Sequence, residues 1–354
     1  MLEFKVWGKP EYAGKTIESE VPKPGPKEVL VKVIAAGLNP KDWKFVQSRD
    51  ESRALNAGDD MTGIVEAVGA DVWEYKPGDR VAAFHVMGAP HGAYADYAVA
   101  PASTTFPLPP NISFEAGAGL PLSAMTAALA LYQYLQIPLP TTPAGPADGR
   151  DEPLVIYGGA SAVGAYALQL AKLSGIRTII TVAGGGIEFV RSLDAATHIV
   201  DYRRGAVEED ILAALGGRPL TLAFDAICGH GSYEYLSSVL VRSSGGGHLN
   251  MVDPPSPSEF AFPPELRTSR TFVASAYYQE HAAIDADQAF KDGEFALAFY
   301  RYLSHLLAEG RFAPHPFEVL PGGLPAVVGG LRALREGRVS AKKLVVRLTD
   351  TPHI

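Results

Sequence analysis

The sequence predicts an α/β protein: a small β-barrel domain followed by a doubly wound parallel sheet with its helices. Short strands separated by Gly/Pro turns fill the first third. From Leu154 onward, strands alternate with helical stretches, the pattern of a parallel sheet. The 354 residues are 47% apolar and 20% charged, which excludes wholesale disorder.

The elements follow in order. Residues 28–34 are predicted as a strand, preceded by the turn formers Pro22, Pro24, Gly25 and Pro26. A second strand is expected at 62–69, and the turn Lys76-Pro-Gly-Asp79 leads into a third at 80–84. Residues 92–99 alternate again. The texture changes near Asn111, and the Ala- and Leu-rich stretch 115–135 is expected to be helical. A Pro/Gly/Thr-rich surface loop is expected at 137–153. The parallel sheet then takes strands at 154–157, 177–182, 197–200, 221–225, 246–252 and 270–274. Helices are expected at 162–174, with Gly175 ending it, and at 207–215. Residues 253–267 form a loop at the carboxyl edge of the sheet. Helices at 295–309 and 326–336 and a closing strand at 343–348 complete the chain.

Charge and composition narrow the function. With 31 Lys+Arg against 39 Asp+Glu, the net charge is −8, which argues against a general nucleic-acid binder. The single cysteine, Cys228, rules out an intramolecular disulfide and any Cys-rich zinc lobe, and it fits a reducing, cytoplasmic compartment. The N-terminal MLEFKVW lacks the apolar run of a signal peptide. The most apolar region, 117–140, is interrupted by Pro and polar residues. It falls short of the ~20 clean apolar residues of a spanning helix, so no membrane partner is expected.

The sharpest local motif is Gly158-Gly159-Ala160-Ser161-Ala162-Val163-Gly164, between a predicted strand and a predicted helix. Small residues there let the backbone approach a pyrophosphate, and the helix N-terminus offers N–H groups. The match to G-x-G-x-x-G is loose, and the strand–loop–helix context supplies most of its weight.

With this loop, the chain resembles the medium-chain dehydrogenase/reductase superfamily over nearly its whole length. The resemblance rests on Gly37-Leu-Asn-Pro-Lys-Asp-Trp43, Gly58-x4-Gly63 and Val65-Glu-Ala-Val-Gly69. It continues through Lys76-Pro-Gly-Asp-Arg-Val81, Gly92-Ala-Tyr-Ala-Asp-Tyr97, 192–202 and 337–347. It implies a GroES-like catalytic domain over 1–124, a Rossmann NADP-binding domain over 125–277 and a return to the first domain over 278–354. The active site is expected in the cleft between the two domains. Zinc-dependent members carry Cys where this chain has Asn39 and His-Glu where it has Asp59-Asp60, and no Cys or His lies at 121–126. No metal is expected, and His85 and His91 are read as surface or turn histidines. After the second sheet strand, Val182-Ala183-Gly184-Gly185-Gly186 has no acid until Glu188, which favours NADPH over NADH. Tyr202 stands where related reductases contact the 2′-phosphate. Arg191, Arg203 and Lys342 are further candidates, with Arg191 read rather as a solvated cation.

Within the superfamily, the chain is most similar to fungal trans-acting enoyl reductases that serve polyketide synthases, through residues 39–44, 155–159 and 339–348. That implies hydride transfer from NADPH to the β-carbon of an α,β-unsaturated thioester, then protonation of the enolate at the α-carbon. Lys44, Thr126 and Asn250 are the catalytic candidates, and Asp42 and Thr126 are placed at the cofactor. Ile227, Leu249, Val273, Ala274 and Ser275 would line the nicotinamide. Phe272, Tyr277, Tyr278 and residues 253–267 would shape the substrate channel. No Tyr lies between Asn39 and Gly58, so the proton donor used by another branch is missing and water or an unnamed residue takes that role. Two other readings stay open: a quinone or small-enone reductase needing no carrier protein, and a nucleotide-binding accessory protein. The partner is an acyl thioester, free or on the carrier domain of a synthase. Relatives include homodimers, while the resembled polyketide reductases imply a monomer.

Overall fold

The computed structural model describes residues 1–142, 151–279 and 284–352. Most of the loop expected at 137–153 lies outside the described residues. The chain opens with β1 (Leu2–Trp7), β2 (Ala13–Glu18) and β3 (Glu28–Gly37), then helix α1 (Pro40–Val46). β4 (Asp60–Val68), β5 (Arg80–Phe84), β6 (Tyr97–Pro101) and β7 (Thr105–Pro107) follow, then helices α2 (Phe114–Gly117) and α3 (Pro121–Ala128). Next come β8 (Leu154–Tyr157), α4 (Ala162–Leu173), β9 (Ile179–Ala183), α5 (Ile187–Ser192) and β10 (His198–Asp201). α6 (Val207–Leu215), β11 (Leu222–Asp225), α7 (Ser232–Ser244), β12 (Gly247–Met251) and β13 (Leu266–Arg270) complete that run. The chain ends with α8 (Ala286–Ala308), β14 (Phe317–Leu320), α9 (Ala326–Arg335) and β15 (Lys343–Arg347).

Two units result. One joins Met1–Leu122 to Ala274–Ile354, and the other is the continuous stretch Ser123–Val273.

In the first unit, described strands run in the order β14-β15-β3-β4-β5-β7, with β6 also paired to β3. β15 enters antiparallel beside β3, with Val346 opposite Ala36. β3 alternates well enough to bury Val29, Val31 and Val33 in a core shared with Phe4, Met61, Val81 and Tyr94. The β3–β4 register shifts twice, between Leu30 and Val31 and between Val33 and Ala35, the mark of bulges that bend a barrel strand.

The second unit holds a parallel sheet in the order β10-β9-β8-β11-β12-β13. Numbered within the unit, that is 3-2-1-4-5-6, the doubly wound order of dinucleotide-binding folds. Leu154, Val155, Ile156 and Tyr157 of β8 are all buried, as expected of a strand covered on both faces. α4 starts on a Ser161 cap, whose hydroxyl accepts from Gly164 N, and Gly175 follows its end at φ +78°.

Three expectations shift. The sixth parallel strand is Leu266–Arg270, not 270–274; residues Val273–Tyr277 form a 3-10 turn. This edge strand has one buried residue, Leu266, so its polar sequence carries no strand periodicity. The helix expected at 295–309 starts nine residues earlier, at Ala286, capped by the Asp285 side chain accepting from Gln288 N. Of the alternating stretch 92–99, only the part from Tyr97 is strand. One stretch, Phe114–Tyr134, is long and apolar enough to cross a membrane, but 83% of its most apolar window is buried inside the protein, as in a core helix.

Candidate active site

The phosphate loop builds a cradle from three glycines, each with a stated reason. Gly158 has φ +91°, and a Cβ there would lie 2.4 Å from Ile227 Cγ1. A Cβ on Gly159 would meet Thr181 Oγ1 at 2.2 Å, and one on Gly164 would meet the Gly158 carbonyl oxygen at 2.2 Å. Any side chain at these positions would fill the cradle or push α4 off the sheet. The Gly158 and Gly159 amides are both anchored to Val182 O, at 3.0 Å each. Ala162 and Val163, the first residues of α4, have no hydrogen-bond acceptor for their amides among the described residues. Room and open donors at a helix N-terminus are what a dinucleotide pyrophosphate requires, so the loop fits the cofactor. The expected residues Gly158, Gly159, Ala160, Ser161, Ala162, Val163 and Gly164 share this one turn.

Next to it, β9 and β10 run parallel with Asp201 beside Ala183. Tyr202 is half exposed, and its ring covers Gly184 so closely that a Cβ there would lie 2.4 Å from Cε1. Arg203 clamps Asp201 through Nε at 2.8 Å and Nη2 at 2.7 Å. Those hydrogen bonds hold the Asp201 carboxyl down to about 2. Arg191 is committed to Glu188 at 2.5 Å. Lys342 is paired with Glu318 of β14. Arg204, which sequence reasoning passed over, is exposed and has no hydrogen bond or salt bridge among the described residues. The only sequence signal for it is the Arg pair directly after Tyr202; that Asp201 consumes the first Arg is visible only in the fold.

At the carboxyl ends of β11 and β12, Asp225 accepts from Ile227 N and Cys228 N, both at 2.9 Å, and from Ser232 Oγ at 2.5 Å. Burial, as the main cause, raises its pKa. This fixes the turn that lays Ile227 over Gly158. Leu249 is fully buried in the sheet core, so its side chain belongs to packing. Asn250, expected as a catalytic candidate, is fully buried; its amide donates to Ser269 Oγ at 2.8 Å, and its carbonyl accepts from Thr271 Oγ1 at 2.7 Å. The amide has a second N–H besides the one that braces the edge strand. Thr126 is buried within α3.

In the first unit, α1 carries Lys44 on its exposed face, with the ammonium 5.9 Å from the Trp43 ring centroid. Asp42, expected at the cofactor, lies at the start of the same helix. It is fully buried, and one carboxylate oxygen accepts from Asn39 N at 2.9 Å and Tyr94 Oη at 2.6 Å. Its other oxygen lies 2.9 Å from Lys41 Nζ. Burial is the main cause of its raised pKa, with Lys41 opposing. Asp42 therefore frames α1. Ala274 and Ser275 sit in the 3-10 turn; Ser275 is fully buried and donates to Asp292 at 2.6 Å.

The positions that hold zinc ligands in metal-dependent relatives are filled here by an ion network. Asn39 donates to Asp60 Oδ2 at 2.9 Å and accepts from Lys343 Nζ at 2.6 Å. Asp60 Oδ1 accepts from Leu122 N at 2.7 Å. Asp59 pairs with Lys41 and lies 2.9 Å from His85 Nδ1, while His85 Nε2 lies 2.9 Å from Pro90 O. His85 is thus a buried, doubly bonded residue, not a surface histidine. Burial pulls the Lys41 ammonium down, but Asp42 and Asp59 outweigh it and its pKa ends up raised. Two lysines already neutralise these carboxylates, and this donor set does not fit zinc.

Residues 25–110 match the alcohol dehydrogenase GroES-like domain family, and residues 162–291 match the zinc-binding dehydrogenase family. The trans-enoyl reductase fsr4 of Gibberella fujikuroi is 42% identical over 311 residues, covering 86% of this chain and 87% of the relative. The trans-enoyl reductase ACTTS2 of Alternaria alternata is 32% identical over 343 residues, covering 95% and 96%. Among solved structures, the CurK enoyl reductase superposes with a TM-score of 0.73 at 20% identity, covering 98% of each chain. The quinone oxidoreductase from Coxiella burnetii gives 0.73 at 24% identity, covering 98% and 99%. These two share the fold, whereas the sequence relatives place the chain more narrowly: it belongs to the medium-chain dehydrogenase/reductase superfamily, within its group of fungal trans-enoyl reductases.

Proposed function

We propose that the protein is an NADPH-dependent, zinc-independent enoyl reductase acting in trans on the α,β-unsaturated thioester of a growing polyketide. The observation that carries the reading is the three-glycine cradle with its open α4 amides, in a chain 42% identical to a trans-enoyl reductase. When bound, the cofactor supplies a hydride for the β-carbon of the alkene. The chain's own residues do the rest. Ala162 and Val163 amides hold the pyrophosphate. Ile227, lying over Gly158, forms one wall of the turn. Tyr202 and Arg204 favour a 2′-phosphate, since β9 ends in glycines and the nearest strand-end carboxylate, Asp201, is neutralised by Arg203. Lys44 places an ammonium on the exposed face of α1, where it stabilises the developing enolate oxygen. Water delivers the α-proton in this reading. The substrate arrives as a thioester on the carrier domain of a synthase, and the enzyme works in the cytoplasm.

The test is the consumption of NADPH, and separately NADH, with an N-acetylcysteamine enoyl thioester and with a quinone. The reading requires thioester turnover with NADPH preferred; turnover of the quinone alone would replace it. Lys44→Ala should lower kcat by roughly 100-fold, the scale of one oxyanion donor, with little change in NADPH affinity. Unchanged kcat would remove Lys44 from the chemistry.

A further inference from the structure

A concavity lies wholly within the first unit, and its lining includes Tyr277 and Tyr278, two residues expected at the substrate channel. It is a groove of about 930 Å³. One wall is the turn after β4, with Asp71, Trp73 and Glu74; the other is Tyr277, Tyr278 and the α8 residues Phe290 and Glu294. Val86 and Met87, just after β5, form part of its lining.

The groove is built rather than accidental. Trp73 is 87% exposed, Phe290 59% and Tyr278 40%, so three of the large apolar side chains most open to water border one groove. Tyr278 has φ +66°, a left-handed conformation that a bulky residue adopts only under constraint. Its ring lies on Gly293 of α8, where a Cβ would sit 2.4 Å from Cδ1 and from Cε1. Its hydroxyl donates to Glu294 at 3.0 Å, and its ring centroid is 6.3 Å from that of Phe290. Beside it, Tyr277 accepts from Met87 N at 3.0 Å and packs on Phe84 with centroids 5.4 Å apart. A strained tyrosine and a glycine notch together hold an aromatic face toward solvent.

Charge selects the occupant. The lining carries Asp71, Glu74 and Glu294 against the single cation Lys27. Glu74 is partly offset by Arg301 at 2.5 Å, while the Asp71 side chain has no ion pair among the described residues. Aromatic faces edged by carboxylates suit a guanidinium, which stacks on rings and donates to carboxylates at once. Exposed Trp, Tyr and Phe in a concave patch are also the usual anchors of a protein interface.

We propose that this groove receives an arginine-bearing apolar segment of a partner protein, with the guanidinium between the Trp73 ring and the Asp71 and Glu294 carboxylates. The inference goes beyond the reductase reading, and its test uses no turnover. The probes are a short peptide alternating Leu and Arg and the same peptide with citrulline, the neutral isostere, at each Arg. Both are titrated against the full chain by calorimetry and Trp fluorescence. The arginine peptide should bind at least about tenfold more tightly than the citrulline peptide, a 1.4 kcal/mol difference. Asp71→Asn with Glu294→Gln should erase that preference, and Trp73→Leu should abolish binding. All variants should keep the wild-type circular dichroism spectrum and melting temperature, which shows that they fold. Equal binding of both peptides, or of neither, overturns the proposal. So does displacement of the arginine peptide by benzyltrimethylammonium at matching affinity, which would make the groove a site for free organic cations. A concentration-dependent dimer that Trp73→Leu dissolves would assign the groove to a second copy and overturn it as well.

Discussion

The phosphate loop and the Asn39–Asp60 corner look alike in sequence, each a short run of small and polar residues beside a strand end, but they are opposites in structure. In the loop, glycines clear space and the Ala162 and Val163 amides have no acceptor among the described residues. In the corner, Asn39, Asp42, Asp59, Asp60, Lys41, Lys343 and His85 bond one another. The first is a site because its donors are unspent; the second is a frame because its donors are spent. Polar residues near a cleft motif therefore say little about ligand binding until their partners are counted.

The comparison can be broken from either side. Gly164→Ala attacks the loop where the obstacle is the Gly158 carbonyl, backbone that cannot yield. NADPH affinity should fall by at least roughly 100-fold, about 2.7 kcal/mol, measured by fluorescence titration, with the first unit's melting unaffected. Lys343→Met attacks the corner and should leave cofactor affinity alone while destabilising the first unit. Removing one partner of a buried pair costs ~3–5 kcal/mol, so chemical denaturation should show a shift of that order. Adding Asp60→Asn should recover part of it. If Lys343→Met instead weakened NADPH binding with stability intact, the division into site and frame would be wrong.

Smaller effects sharpen the picture. Arg204→Ala should lower the preference for NADPH over NADH by about tenfold, the scale of one charge-assisted contact. Arg191→Ala, already paired with Glu188, should leave it unchanged. Equal losses for both cofactors would remove Arg204 from the 2′-phosphate. The smallest effect concerns His248 of β12, bonded at 2.7 Å to Ser269. Burial first, and the Arg267 charge second, push its pKa from 6.5 down to about 4. Between those values the unfolded chain holds a proton that the folded chain does not. Stability is then full above pH 6.5 and declines as pH falls toward about 4. His248→Asn should flatten that slope in urea titrations; an unchanged slope would assign the loss to other groups.

How legible the chain was depends on how local each signal is. β5, entered by its Lys76–Asp79 turn, and α6, ended by a left-handed Gly216, lie where the pattern placed them. β13 was misplaced by four residues because an edge strand of Leu-Arg-Thr-Ser-Arg has no apolar face to read. The phosphate loop was legible because its glycines and cap are contiguous. The corner was not, because Asp59 meets His85 across strands, and Lys343 meets Asn39 across almost the whole chain. Burial of Asn250 and Asp42 likewise follows from partners far along or across a sheet, which periodicity does not encode.

The placement of β15 beside β3 has a consequence for how the protein is made. A strand near the end of the chain completes a sheet begun by residues near its start. As the chain leaves the ribosome, the first unit's β3 waits with an open edge while Ser123–Val273 emerges as one continuous stretch. The parallel-sheet unit can fold during synthesis, and the barrel closes only once β15 has emerged. Nonsense or frameshift lesions between Val273 and β15 would then yield chains with a finished nucleotide unit and an unsealed barrel edge, prone to pair with one another.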